Sequence, residues 1–127
     1  MKFIHLGDLH IGKSLSDFSL IEDQKYILDQ IIGIAEKNKV DGVLIAGDVY
    51  DKSIPSEEAV KLFDYFICQL VSRTFKVFIV SGNHDSDERL NFGSSLFESN
   101  GVYISSKFGG KLYKQQFEDE NGKVNVY

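Results

Sequence analysis

A single cysteine, Cys68, leaves this chain without a partner for an intramolecular disulfide. It falls inside an apolar helical pattern, where a small buried core thiol is expected. Long apolar runs are missing as well. No segment approaches the length that crosses a bilayer. At the start, Phe3, Ile4 and Leu6 are interrupted by His5 and followed at once by Gly7 and Asp8, which does not make a signal peptide. No membrane association and a cytoplasmic location are therefore expected. A basic excess is absent too: 14 Lys and Arg stand against 19 Asp and Glu, which argues against a simple DNA-coating role. That balance still admits a polyanionic substrate, because a centre built from carboxylates is negative until divalent cations neutralise it. Histidine is scarce, at three residues.

What is present is ordinary globular composition, 43% hydrophobic and 13% aromatic over 127 residues, enough for one domain or part of one with a modest core. Short β-rich runs at Lys2 to Leu6, Val43 to Ala46 and Lys76 to Val80 read as buried strands. Between them, Ile21 to Asn38 repeats apolar residues at the three-and-four spacing of a helix through Ile27, Leu28, Ile31, Ile32 and Ala35. Ser56 to Ser72 repeats it through Phe63, Phe66, Ile67 and Leu70, with Pro55 at the helix start. Strand, helix, strand, helix, strand predicts right-handed crossovers and parallel strands, with chemistry on the loops at the strands' carboxyl ends. Arg89 to Glu98 reads as a short helix and Val102 to Ser105 as a fourth strand. Lys111 to Phe117 and Lys123 to Tyr127 read as hairpin arms around Asn121-Gly122. The second arm stops without closing turn chemistry, so the chain is expected to be cut within a strand.

Three motifs occupy equivalent places, one after each of the first three strands. Gly7-Asp8-Leu9-His10 offers a carboxylate and an imidazole two residues apart, which extended backbone would point to one side. That pair suits a first-row divalent metal such as manganese or iron better than calcium. Gly47-Asp48-Val49-Tyr50-Asp51 adds a carboxylate, Asp48, with two oxygens able to bridge two cations. Gly82-Asn83-His84-Asp85 adds an amide oxygen and a second imidazole. A Gly-Asp pair after one strand is usually only a turn. Three such motifs after three successive strands are hard to produce by turn chemistry. Asp85 and Asp51 fit either a carboxylate that orients a histidine or a turn-capping group. His5, in mid-strand and directed away from Ile4 and Leu6, reads as a packing histidine. Lys13, Lys52 and Arg89 are placed to meet phosphates; of Tyr50 and Phe92 as base-stacking rings, Phe92 is the one expected in the core.

These motifs resemble the metallophosphoesterase, or calcineurin-like, superfamily, whose signature runs D-x-H, G-D-x-x-D and G-N-H-D/E, with every fixed position matched. Within it, Gly7-Asp8-Leu9-His10-Ile11-Gly12, with Phe18 nearby, and Ala46-Gly47-Asp48-Val49-Tyr50-Asp51 are similar to the SbcD-type exonuclease subunits. The resemblance implies an α/β fold: a metallophosphoesterase-like sandwich with a mostly parallel βαβαβ start. It implies two divalent metal ions, manganese being favoured, with Asp8 and His10 on one, Asp48 bridging both and Asn83 on the second. His84 and Asp85 are then the catalytic candidates. Double-stranded DNA as substrate, a role in DNA repair and recombination and an SbcC-type ATPase subunit follow from the same resemblance, while the apolar surface and unpaired edges that a truncated sandwich would expose predict self-association as a homodimer. Family members add three further histidines from later strands, and this chain has none to supply. The expectation is therefore a truncated form that lacks the second half of the sandwich, with little or no nuclease activity and partial metal occupancy or none. Three alternatives stay open. A protein serine/threonine phosphatase follows the second motif with an arginine, where Lys52-Ser53 stands here. A nucleotide phosphodiesterase and a non-catalytic binding module are the others.

Overall fold

The computed structural model describes residues 1–105 and 114–127. In chain order its elements are β1 (Phe3–Gly7), a small hairpin of β2 (Ser14–Leu15) and β3 (Phe18–Ser19), α1 (Ile21–Asn38), β4 (Gly42–Ala46), α2 (Glu57–Ser72) and β5 (Lys76–Val80). Two short helices follow, α3 (Asp87–Leu90) and α4 (Ser94–Glu98), then β6 (Val102–Ser105) and a hairpin of β7 (Gln115–Asp119) and β8 (Gly122–Val126). Strands β1, β4, β5 and β6 lie side by side in that order, every neighbouring pair parallel. Because the order advances in one direction, right-handed crossovers put α1 and α2 on the same face of the sheet. There they meet each other: the Tyr65 hydroxyl donates to Asp29 at 2.8 Å and Arg73 donates to Glu36 at 2.8 Å.

The register sorts side chains by face. Ile4, Val43, Val77 and Val102 align across the four strands, as do Leu6, Ile45, Ile79 and Ile104. These rows form the floor of the core, and Leu28, Ile32 and Ala35 of α1 with Phe66 and Leu70 of α2 are buried with it. On the opposite face the row is His5, Leu44, Phe78 and Tyr103. The hairpin of β7 and β8 covers part of it, with Phe117 edge-on to Phe78 at 5.5 Å and to Tyr103 at 5.9 Å between ring centroids. A parallel sheet is normally covered on both faces, and Phe117 begins that second layer.

The start of α2 follows its local chemistry. Ser56 is extended (φ −68°, ψ 160°) and its hydroxyl accepts from the Ala59 N–H at 3.2 Å, so the N-cap is serine and Pro55 lies one residue outside it. The helix expected over Arg89 to Glu98 is divided: Gly93 adopts φ 77° between α3 and α4. The hairpin turn falls on Glu120-Asn121, with Gly122 already paired to Asp119, one residue earlier than the Asn-Gly signal suggests. Residues 111 to 113 of the expected first arm lie outside the described residues.

Two burial expectations are corrected. Cys68 is exposed, since the buried stripe of α2 runs through Phe63, Phe66, Ile67 and Leu70, and position 68 turns past its edge. His5 is exposed on edge strand β1 rather than packed. Replacing fully buried Phe66 with alanine is expected to lower stability by about 3–5 kcal/mol through lost burial and a cavity. Ser56→Ala is expected to lower it by about 1 kcal/mol through the lost cap. Urea unfolding of the two variants checks the order, and a Phe66→Ala loss smaller than that of Ser56→Ala would contradict this packing.

Candidate metal centre

The loops after β1, β4 and β5 continue the strand order beyond the sheet. Loop one runs beside loop two: Asp8 N–H donates to Gly47 O at 3.3 Å, His10 N–H to Asp48 O at 2.9 Å and Ile11 N–H to Val49 O at 2.9 Å. Gly47 N–H in turn donates to Val80 O at 3.0 Å, which ties the second loop to the end of β5. The backbone between Asp8 and His10 is not the extended one the sequence suggests. Asp8 (φ 53°), His10 (φ 44°) and Asp48 (φ 47°) all occupy the left-handed region. For non-glycine residues that conformation is uncommon and strained, and it persists only where surrounding contacts fix it.

The bent loops bring three side chains together. One donor atom from each of Asp8, His10 and Asp48 lies within 4.8 Å of the others. His10 Nε2 is 3.9 Å from Asp8 Oδ1 and 3.9 Å from Asp48 Oδ2. Bonds of about 2.0–2.2 Å from one cation span donors at that separation. The other ring nitrogen, His10 Nδ1, is buried without a hydrogen-bond partner, and Asp51 Oδ1 approaches it to 3.5 Å without closing the bond. A histidine with one nitrogen toward carboxylate donors and the other toward a supporting carboxylate is the arrangement of a metal ligand. The donor set, two carboxylates and an imidazole, therefore fits a first-row divalent cation.

The third loop adds His84, whose ring stands edge-on to that of His10 with centroids 5.3 Å apart. The His84 N–H donates to Asp48 Oδ1 at 3.0 Å, while its imidazole is exposed. Asn83 precedes it on the same turn and is exposed. Asp85 points the other way. Its carboxylate accepts from the N–H groups of Val49 (3.1 Å), Tyr50 (3.0 Å) and Gly82 (2.9 Å), which binds the third loop to the second. Gly82 makes this close approach possible, since a Cβ there would collide with the Asp48 carboxylate and backbone nitrogen.

Sequence reasoning overlooked Gln24 on α1. Its Nε2 donates to Leu9 O at 3.3 Å and to His10 O at 2.8 Å, and its Oε1 accepts from Gly12 N–H at 2.9 Å. The signal was available: Gln24 stands one turn before buried Leu28, on the inward stripe of the helix. The two aromatic candidates differ in burial from the sequence expectation. Tyr50 is buried and edge-on to Phe63, and burial with the nearby charges of Asp85 and Asp64 pushes its phenol up to about 12, so it stays neutral in the core. Phe92 is 84% exposed and is no core residue. Lys13, Lys52 and Arg89 are exposed in or near the loops.

Residues 1–125 match the family described as calcineurin-like phosphoesterase. The chain belongs to that family. It is also similar to the SbcD subunit of the nuclease SbcCD from Staphylococcus epidermidis, with 46% identity over 108 residues, 84% of this chain and 29% of that relative. The chain thus spans under a third of that relative's length. Hydrolysis of phosphate esters is the family's chemistry, and divalent metal binding goes with it. Among the described residues no helix is long and apolar enough to cross a membrane.

Asp85→Ala removes the acceptor of three backbone N–H groups and is expected to lower stability by about 2 kcal/mol. Amide exchange at Val49, Tyr50 and Gly82 should accelerate in the same variant. Unchanged protection at all three would show that the carboxylate does not hold the loops together.

Proposed function

We propose that this chain supplies Asp8, His10, Asp48, Asn83 and His84 to the two-metal centre of a nuclease that hydrolyses phosphodiester bonds of double-stranded DNA, in repair and recombination. The observation that carries this reading is the convergence of Asp8, His10 and Asp48 on one point with the His84 ring beside them. Asp8, His10 and Asp48 would hold one cation, and Asp48 with Asn83 the second, with manganese the favoured ion. Bound cations of this kind polarise a phosphate, lower the pKa of water and stabilise entering and leaving oxygens.

The protein's own groups divide the remaining work. Asp51 faces His10 Nδ1 at 3.5 Å and would orient that ring on closing the bond, with Nε2 turned toward the two carboxylates. His84, with its backbone fixed to Asp48 and its imidazole open to solvent, is the group able to donate a proton to a leaving oxygen or to stabilise developing negative charge. Asp85, paired with His84 as a catalytic candidate, acts here as a positioning residue, because its oxygens are taken up by backbone N–H groups of two loops.

An SbcC-type ATPase as partner, a homodimer as assembly and the cytoplasm as compartment belong to the same reading. The identity shared with the SbcD subunit of the staphylococcal nuclease SbcCD supports the first of these. On the family's pattern this chain gives the second cation Asp48 and Asn83, too few to hold it firmly, so the 127-residue chain alone is expected to be inactive.

Duplex DNA, a cyclic nucleotide and a p-nitrophenyl phosphodiester, offered with manganese to the full-length protein that carries this sequence, test the assignment. Duplex DNA should be the preferred substrate, and His84→Ala should lower its turnover by about 10²–10⁴-fold. The 127-residue chain should leave the duplex intact. Preference for the cyclic nucleotide, or full activity in His84→Ala, would remove the nuclease reading.

A further inference from the structure

We propose that Gln24 is the positioning residue that holds the first metal-binding loop in its ligating shape. The inference rests on the cation site proposed above and adds what keeps that site formed before a cation arrives. Within five residues the loop carries three left-handed positions, Asp8 (φ 53°), His10 (φ 44°) and Gly12 (φ 91°). The two non-glycine positions are strained, so the loop needs contacts that specify it.

Loop two supplies half of them, by accepting the N–H groups of Asp8, His10 and Ile11. That leaves the carbonyls of Leu9 and His10 and the N–H of Gly12 on the other edge. Gln24 engages all three at once, donating through Nε2 to both carbonyls and accepting through Oε1 from Gly12. Lys13 N–H also reaches His10 O, at 3.1 Å, but it belongs to the same loop and cannot anchor it. Gln24 belongs to α1, which is fixed to the core through Leu28 and Ile32.

The chemistry demands a primary amide. A carboxylate has no protons for the two carbonyls, a lysine or arginine has no acceptor for Gly12, and an apolar side chain offers neither. Asparagine carries the right groups on a shorter stem. The amide is thus a rigid bracket between the helix and the loop, and His10 and Asp8 project from the bracketed segment toward Asp48.

Manganese titration of the 127-residue chain at neutral pH, with Gln24→Leu and Gln24→Glu beside it, separates this role from others. Outer contacts of metal ligands are worth about 10–100-fold in affinity, and both variants should bind at least about tenfold more weakly. The glutamate is informative because it is nearly isosteric and adds a negative charge near the cation. Charge alone would tighten binding, whereas loss of the bracket weakens it. It also keeps the test open if the leucine variant does not fold. In metal-free protein, amide exchange at His10, Ile11 and Gly12 should accelerate in the variants while the central strands β4 and β5 stay protected. Binding by Gln24→Glu as tight as that of the unaltered chain, or unchanged exchange in the loop, would overturn the proposal. If the unaltered chain takes up no manganese, the cation reading fails, and the exchange measurement alone decides whether Gln24 brackets the loop.

Discussion

Asp48 is the residue on which three loops meet. Its carbonyl accepts the His10 N–H, its Oδ1 accepts the His84 N–H, and its Oδ2 faces His10 Nε2. It does this while buried and in a left-handed conformation, a combination that is unfavourable for a carboxylate unless its partners are fixed. Gly82 gives it room, and Asp85 draws the third loop against the second around it. His10 and His84 are thus both tied to this one residue.

The sheet explains why such a residue can be held at all. Strands β1, β4 and β5 are neighbours in parallel register, so their carboxyl ends emerge side by side and three separate stretches of sequence arrive at one edge. One face of these strands is packed by the helices, which makes the edge a firm platform. From there each loop needs only a few residues to reach the next, and glycine or left-handed aspartate and histidine supply the bends. The same contrast between faces places Phe117 against Phe78 and Tyr103, far in sequence from the strands it covers.

Much of this was written in local pattern. Helices α1 and α2 follow from the spacing of their apolar residues, and the strands from short β-rich runs between them, so the parallel order was legible from alternation alone. The gathering of Asp8, His10 and Asp48 was legible because each follows a strand end. What was not legible depends on contacts remote in sequence. Asp8 and His10 converge through left-handed backbone held by Gly47 and Asp48, which no two-residue spacing reveals. Tyr50 packs in the core edge-on to Phe63 of α2, while Phe92, on the turn between α3 and α4, is left outside. Cys68 shows how narrow a helical stripe is: one step beyond Ile67 the side chain is already outside.

If Asp48 organises a divalent-cation site from residues of three loops, as proposed, cation binding must depend on it. Manganese binding to the chain, measured calorimetrically for the unaltered protein and for Asp48→Ala with folding of both verified by circular dichroism, tests it most directly. Binding by the unaltered chain, lost in a still-folded Asp48→Ala variant, is the expected result. Equal binding by the two proteins, or none by the unaltered one, would contradict it.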